Sequence, residues 1–324
     1  MKSILSRARH FLSPRRDVTP KISVIIMSYN MAREVPRTVM SFLPPYQVGI
    51  SPEDVEIIVM DNGSPRPIAD AVHKAWPENV RYEFVENAHP SPARALNAGV
   101  AMSTAPLVCP VIDGARMASP GLLKWGLEAA SRSPRAFAST AGFHLGETLQ
   151  QIAVEDGYCQ EVEDELLESI NWPENGYRLF EICALAGSSR YGWFGYLNES
   201  NAPILPRSLY DELEGYDEAF DIPGGGLVNL DFLNRLLRLP GTIYYSILGE
   251  GTFHQFHHGV TTSRRVIKPE ADGVTTWEKY TAQYRTIRGE DYRPPNRKPI
   301  LIGQLPAEAN KIAALGLDNL IEGR

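Results

Sequence analysis

The sequence predicts an α/β domain of Rossmann-like build, with a mainly parallel central sheet and helices on both faces. Three observations carry this. Short apolar runs recur at Ile22 to Met27, Val55 to Met60 and Leu107 to Ile112, each long enough for a buried parallel strand and too short for a core helix. Each run stops at polar turn chemistry: Ser28-Tyr29-Asn30, Asp61-Asn62 and Asp113-Gly114. Between them lie stripes of helical period, such as Val35, Val39, Phe42 and Leu43. Polar carboxyl ends of parallel strands form the edge where α/β sheets bind ligands, because the loops there present backbone donors and helix N-termini.

Taken in order, residues 1–20 stand apart. Lys2, Arg7, Arg9, Arg15 and Arg16 precede the first acidic residue, and Ile4, Leu5, Ala8, Phe11 and Leu12 share one helical stripe. Residues 1–16 are read either as a peripheral contact with an anionic membrane or as a terminal arm. The domain proper spans 21–260. After the first two strands, with a helix over Ile68 to Trp76, come a strand at Val80 to Val85 and a helix at Pro92 to Met102 carrying Arg94 and Asn97. The strand ending at Asp113 follows, and Pro120 opens a helix to about Ala130.

The second half is less regular. Leu149 to Ile170 is acidic and helix-prone, and its charges are read as a solvated face. Gly187 to Asn201 reads as a mobile loop beside the site, with Tyr191, Trp193, Phe194 and Tyr196 either stacking on an acceptor or packing. Gly224 to Gly226 make a turn before a helix that holds Asn229, Asp231 and Arg235. A strand at Thr242 to Ile247 leads to His254, His257 and His258, a cluster suited to a metal or a phosphate. From Thr261 the chain is charged and proline-rich, an arm over 261–324, and Ile321 to Arg324 resembles a protease-recognition remnant.

Composition narrows the classes. A net charge of -7 argues against a general grip on nucleic acid, so nucleic acid is not expected as a partner. Three distant cysteines suggest neither a disulfide framework nor a cysteine metal site, and they fit a cytoplasmic location. No apolar run approaches the roughly 18 to 20 residues needed to cross a bilayer. Neither GxGxxG after the first strand nor GxxxxGK[ST] occurs, which disfavours a dinucleotide fold and a P-loop.

From Lys21 to Gly259 the order of these features resembles the GT-A fold glycosyltransferases of the family 2 type. The segments that carry the resemblance are ISVIIMSYN, VEIIVMDNGS, ARALNAGVAMSTAPLVCPVIDGA, LEGYDEAF and GGGLVNLDFLNRL. The resemblance implies a nucleotide-sugar donor held by Ser28, Tyr29, Asn30, Asp61, Asn62, Arg94, Asn97, Asp113 and Arg116. The acceptor would be a glycan, a lipid-linked glycan or another hydroxyl, in bacterial surface glycan or glycoconjugate synthesis. Asp113 corresponds to the first aspartate of the family's DxD, which holds a divalent cation, Mn²⁺ or Mg²⁺.

Two positions depart from that pattern. Ala115 stands at the second DxD aspartate, so either His254 or His257 completes the metal site with Asp113, or Arg116 supplies the positive charge instead. Asn229 stands at the catalytic aspartate, and an amide cannot be a general base. Either Asp231 has taken that role or the reaction is retaining. The leading expectation is therefore an enzyme. The alternatives are a GT-A module that binds nucleotide sugar without turnover, and a nucleotidyltransferase.

Overall fold

Strand β1 (Ile22–Ser28) is buried from end to end because its residues alternate between two apolar layers, Val24 and Ile26 facing one, Ile25 and Met27 the other. The computed structural model describes residues 19–257, 259 and 268–323. The expected membrane-contact segment 1–16 and His258 lie outside them.

Around β1 the first sheet is assembled by parallel pairing. The strands β2 (Val55–Asp61), β3 (Val80–Phe84) and β4 (Leu107–Val111) give the order β3-β2-β1-β4. The β1/β2 register puts Ser28 opposite Asp61, so the polar strand ends share one edge as expected. The helices α1 (Val35–Ser41), α2 (Asp70–His73) and α3 (Ala93–Met102) fill the connections, α2 being much shorter than the apolar stripe predicted.

Beyond Asp113 a three-residue strand, β5 (Arg116–Ala118), and α4 (Leu122–Ser131) lead to β6 (Ala136–Leu145). Sequence reading missed β6, although all ten of its residues are buried, because Ala, Ser, Thr and Gly dilute its apolar pattern. The acidic stretch folds as α5 (Gln150–Ala153) and α6 (Gln160–Ile170), followed by β7 (Cys183–Leu185), β8 (Leu205–Pro206), α7 (Arg207–Glu212) and α8 (Val228–Arg238). Next comes β9 (Ile243–His254), which runs seven residues past the predicted strand end and contains His254 itself. The second sheet contains the order β9-β6-β7, with β5 paired antiparallel to β9. The two sheets meet where Ala138 and Ile204 exchange backbone hydrogen bonds of 2.9 and 2.8 Å.

The segment after residue 268 is not an arm laid over a finished domain. Its α9 (Thr276–Arg288) buries Tyr280 and Tyr284 in the main core, β10 (Ile300–Gly303) extends the second sheet parallel to β9, and α10 (Asn310–Glu322) buries Ile312 and Ala313. Among the described residues no helix is long and apolar enough to cross a membrane.

The Asp113-Gly114 turn is fixed by close backbone approach. A Cβ on Gly114 would lie 2.3 Å from the carbonyl oxygen of Met27, and the Gly114 carbonyl accepts from Thr38 Oγ1 at 2.6 Å. The turn is thus clamped between the end of β1 and α1. Gly114→Ala is expected to destabilise the fold by about 1 to 3 kcal/mol through overpacking, read as a lower urea midpoint. An unchanged midpoint would contradict this clamp.

Candidate active site

Three ligand-type side chains converge below the sheet edge. Asp113 follows β4, His254 ends β9, and His257 lies three residues further on. His254 Nε2 is 2.9 Å from Asp113 Oδ2, His257 Nε2 is 3.6 Å from Asp113 Oδ1, and the two imidazole nitrogens are 3.2 Å apart. Register brings them together, because β5 pairs with β9 so that Arg116 lies opposite His254.

The tautomer of His254 is set from behind. Gln150 Nε2 donates to the His254 carbonyl at 2.9 Å, which turns Gln150 Oε1 to accept from His254 Nδ1 at 2.7 Å. With Nδ1 carrying the proton, the Nε2 lone pair of a neutral imidazole points at a carboxylate oxygen. Two acceptors 2.9 Å apart repel unless a proton or a cation lies between them.

Burial favours that neutral form of His254 and lowers its pKa, although Asp113 pulls the other way. For His257 burial is outweighed by Asp113, and the pKa is raised. Burial of Asp113 is likewise outweighed by the two histidines, which hold its carboxyl well below the usual range. One carboxylate and two imidazoles within 4.8 Å of one another are a donor set for a divalent ion of the Mn²⁺ type. Ligand atoms about 2.1 Å from a shared ion sit up to roughly 4.2 Å apart, which the measured separations satisfy. Gln150 is the outer partner such a histidine needs.

The loop that carries the histidines is anchored by charges read from sequence as a solvated face. Glu163 is buried and accepts from the Phe256 backbone N–H at 2.7 Å and from Tyr158 OH at 3.1 Å, with Arg33 Nη1 3.3 Å away. Burial pushes its carboxyl up to about 7 against those donors. Asp164 pairs with both Arg33 and Arg37.

His257 also lines a cavity of about 770 Å³ at the carboxyl ends of β1 and β2, together with Tyr29, Asn30, Asn62, Phe84 and His89. Tyr29 is half exposed there, and Asn62 Nδ2 donates to the His89 carbonyl at 2.8 Å. Ser28 is buried beside it, with a hydroxyl that has no hydrogen-bond partner among the described residues. Arg116 joins the other side of the site. Its Nε is 3.9 Å from Asp113 and its Nη2 is 3.2 Å from Glu199.

Four expected site residues are placed differently. Asp61 is fully buried, and its oxygens accept from the Ser64 N–H at 2.8 Å and from Tyr82 OH at 2.6 Å, so it holds the turn rather than facing the cavity. Asn97 is consumed by Tyr210, Tyr216 and Glu218, and Arg94 pairs with Glu218 at 3.4 Å. Both therefore tie α3 to the 210–218 segment and do not line the cavity. Asp231 is buried and clasped by Arg235 at 2.7 Å and by Arg288 at 2.6 Å, so both of its oxygens already hold charged partners. Asn229 accepts from Ser200 Oγ. Of the aromatics, Trp193 and Tyr191 are core packing, Trp193 donating to the Glu250 carbonyl at 2.6 Å.

The fold is an α/β domain whose first sheet is mainly parallel, with the candidate site at the carboxyl ends of its strands. Residues 23–141 match the model of the glycosyl transferase family 2 family. Over 257 residues the chain is 24% identical to validoxylamine A glucosyltransferase of Streptomyces hygroscopicus subsp. limoneus, covering 75% of this chain and 54% of that protein. The fold is similar to the crystal structure of S. aureus TarS 1-349 in complex with UDP-GlcNAc, with a TM-score of 0.51, 14% identity, and coverage of 82% of this chain and 65% of that chain. The chain thus spans about half the length of the curated relative.

Two outcomes follow from the site's construction. Asp231→Asn leaves Arg235 and Arg288 facing a neutral amide in a buried position, and is expected to cost about 3 kcal/mol of stability while UDP affinity changes less than threefold. A variant of full stability with abolished transfer would restore Asp231 as the base. Gln150→Leu frees the His254 tautomer and is expected to weaken Mn²⁺ affinity by about 10- to 100-fold, measured by electron paramagnetic resonance titration. Unchanged affinity would remove His254 from the metal site.

Proposed function

We propose that the chain transfers a sugar from a nucleotide diphosphate donor, a UDP-sugar, to a hydroxyl acceptor. The observation that carries the reading is the junction at His257, where the Asp113, His254 and His257 cluster meets the cavity at the carboxyl ends of β1 and β2. In that arrangement Tyr29 and Phe84 offer faces for a base, Asn30 and Asn62 offer polar contacts, and the diphosphate reaches the cluster. Arg116, with Nη1 unpartnered among the described residues, supplies fixed positive charge on the same side.

Asp113, His254 and His257 would hold a divalent cation, which would supply charge neutralisation to a diphosphate leaving group. The protein's own part is to orient the donor, to fix the His254 tautomer through Gln150, and to hold the 254–257 loop through Glu163. The UDP-sugar reading draws support from the glucosyltransferase relative and from UDP-GlcNAc in the TarS structure. The acceptor is read as a glycan, a lipid-linked glycan or another hydroxyl, in bacterial surface glycan or glycoconjugate synthesis.

The alternative of a binding module without turnover draws on Asn229 at the base position and on the clasped Asp231. Incubation with UDP-, GDP- and dTDP-sugars, with and without Mn²⁺, separates the two. Release of UDP that stops in EDTA, returns with Mn²⁺ and falls by more than tenfold, about 1.4 kcal/mol of barrier, in Asp113→Ala is the expected result. Tight UDP binding without release from any donor would favour the module, and EDTA-resistant release at full rate would transfer the charge role to Arg116.

A further inference from the structure

The sugar-transfer reading leaves the acceptor proton without a base. Asn229 is an amide, Asp231 is clasped by two arginines, and Asp113 faces the histidines. Glu34 and Glu163 are buried against Arg33, and Glu250 is buried beneath Ser119, Gly121 and Tyr177.

Glu199 also has an arginine partner, but a single one: Arg116 Nη2 donates to its Oε2 at 3.2 Å, and its side chain keeps 23% of its exposure. That one guanidinium separates it from the candidate metal cluster, since Arg116 Nε faces Asp113. The next residue, Ser200, donates its hydroxyl to Asn229, so the loop delivers a carboxylate beside the position where family 2 members are expected to carry theirs.

The loop that holds Glu199 is tied to β6 and to itself by hydrogen bonds. Ser189 Oγ accepts from the Gly142 N–H at 2.8 Å, the Asn198 N–H donates to the Ser188 carbonyl at 3.1 Å, and Ser139 Oγ donates to the Ser200 carbonyl. Immediately after Glu199 and Ser200 the backbone turns left-handed at two residues that are not glycine, Asn201 (φ 33°) and Ala202 (φ 50°). Asn201 is buried at 2% exposure, and neither atom of its amide has a partner among the described residues. Strain and unmet polar capacity at one corner are characteristic of sites shaped for a ligand rather than for folding. The groups facing Glu199 are Arg116 from β5 and Tyr292 from the segment after α9, whose phenol is pushed up by burial and by the Glu199 charge.

We propose that Glu199 is the catalytic carboxylate that accepts the acceptor's proton. This rests on the sugar-transfer reading. The acceptor O–H proton passes to a Glu199 oxygen, the acceptor oxygen forms its bond to the anomeric carbon, and the bond from that carbon to the diphosphate oxygen breaks. The electron pair of that bond leaves on the diphosphate.

The test follows UDP release from UDP-glucose and UDP-GlcNAc with Mn²⁺ and water as acceptor, beside calorimetric binding of UDP. In Glu199→Gln, kcat is expected to fall by about 10² to 10⁴, with donor KM, UDP Kd and the urea midpoint within threefold of wild type. Glu199→Asp is expected to regain at least tenfold over the amide. A fall of less than tenfold in Glu199→Gln, or a larger fall matched by equal loss of UDP affinity, overturns the assignment. A wild-type chain that releases no UDP from any donor overturns the sugar-transfer reading and this assignment with it. An active wild type beside an equally active Glu199→Gln overturns this assignment alone.

Discussion

The antiparallel pairing of β5 with β9 is the constraint on which the site depends. Three residue pairs fix it, Arg116 with His254, Met117 with Phe253, and Ala118 with Thr252. A slip of one residue would turn His254 to the opposite face of the strand and separate it from Asp113. The apolar members resist such a slip, since Met117, Ala118 and Phe253 are all fully buried. Phe253 packs on Phe143 and Phe180, with ring centroids 5.4 and 4.9 Å apart. Core packing therefore sets the distance between a carboxylate and an imidazole that are far apart in sequence.

Around that pair the protein spends buried polar groups on orientation. Gln150 holds one histidine's tautomer, Glu163 holds the backbone between the two histidines, and Arg33 balances Glu163 while reaching Asp164. Buried carboxylates contribute little to net stability, because their desolvation offsets most of what their partners return. Their value here is geometric. Each is fully hydrogen-bonded, and each fixes an element that touches the candidate metal cluster.

The C-terminal segment is held by the same logic. Arg288 of α9 bonds Asp231 of α8 through two nitrogens, at 2.6 and 2.7 Å, and reaches Asp217 at 2.7 Å. An aspartate in the first turn of a helix is favoured by the helix dipole, and here it also captures α9 through Arg288. The feature that made Asp231 resemble a base in the sequence, an acidic residue four before an arginine, is the signature of its structural use.

The sequence by itself determined the alternation of strand and helix in the first half, the polar strand ends on one edge, and Asp113, His254 and His257 as ligand-type residues. Those signals are local, since burial on both faces writes a continuous apolar run and a strand end writes a change of polarity. Tertiary structure decided the rest. Whether Glu163 faces water or the Phe256 backbone depends on how α6 packs, which spacing on one helix does not encode. Whether Asp61, Arg94 and Asn97 open to the cavity depends on Tyr82, Glu218 and Tyr216, partners up to 121 positions away. Strand β6 was invisible because small residues buried by both neighbouring strands carry no periodic contrast. Glu199 was invisible for the opposite reason: a charged residue in a glycine- and aromatic-rich loop looks solvated until Arg116 is brought to it by the fold.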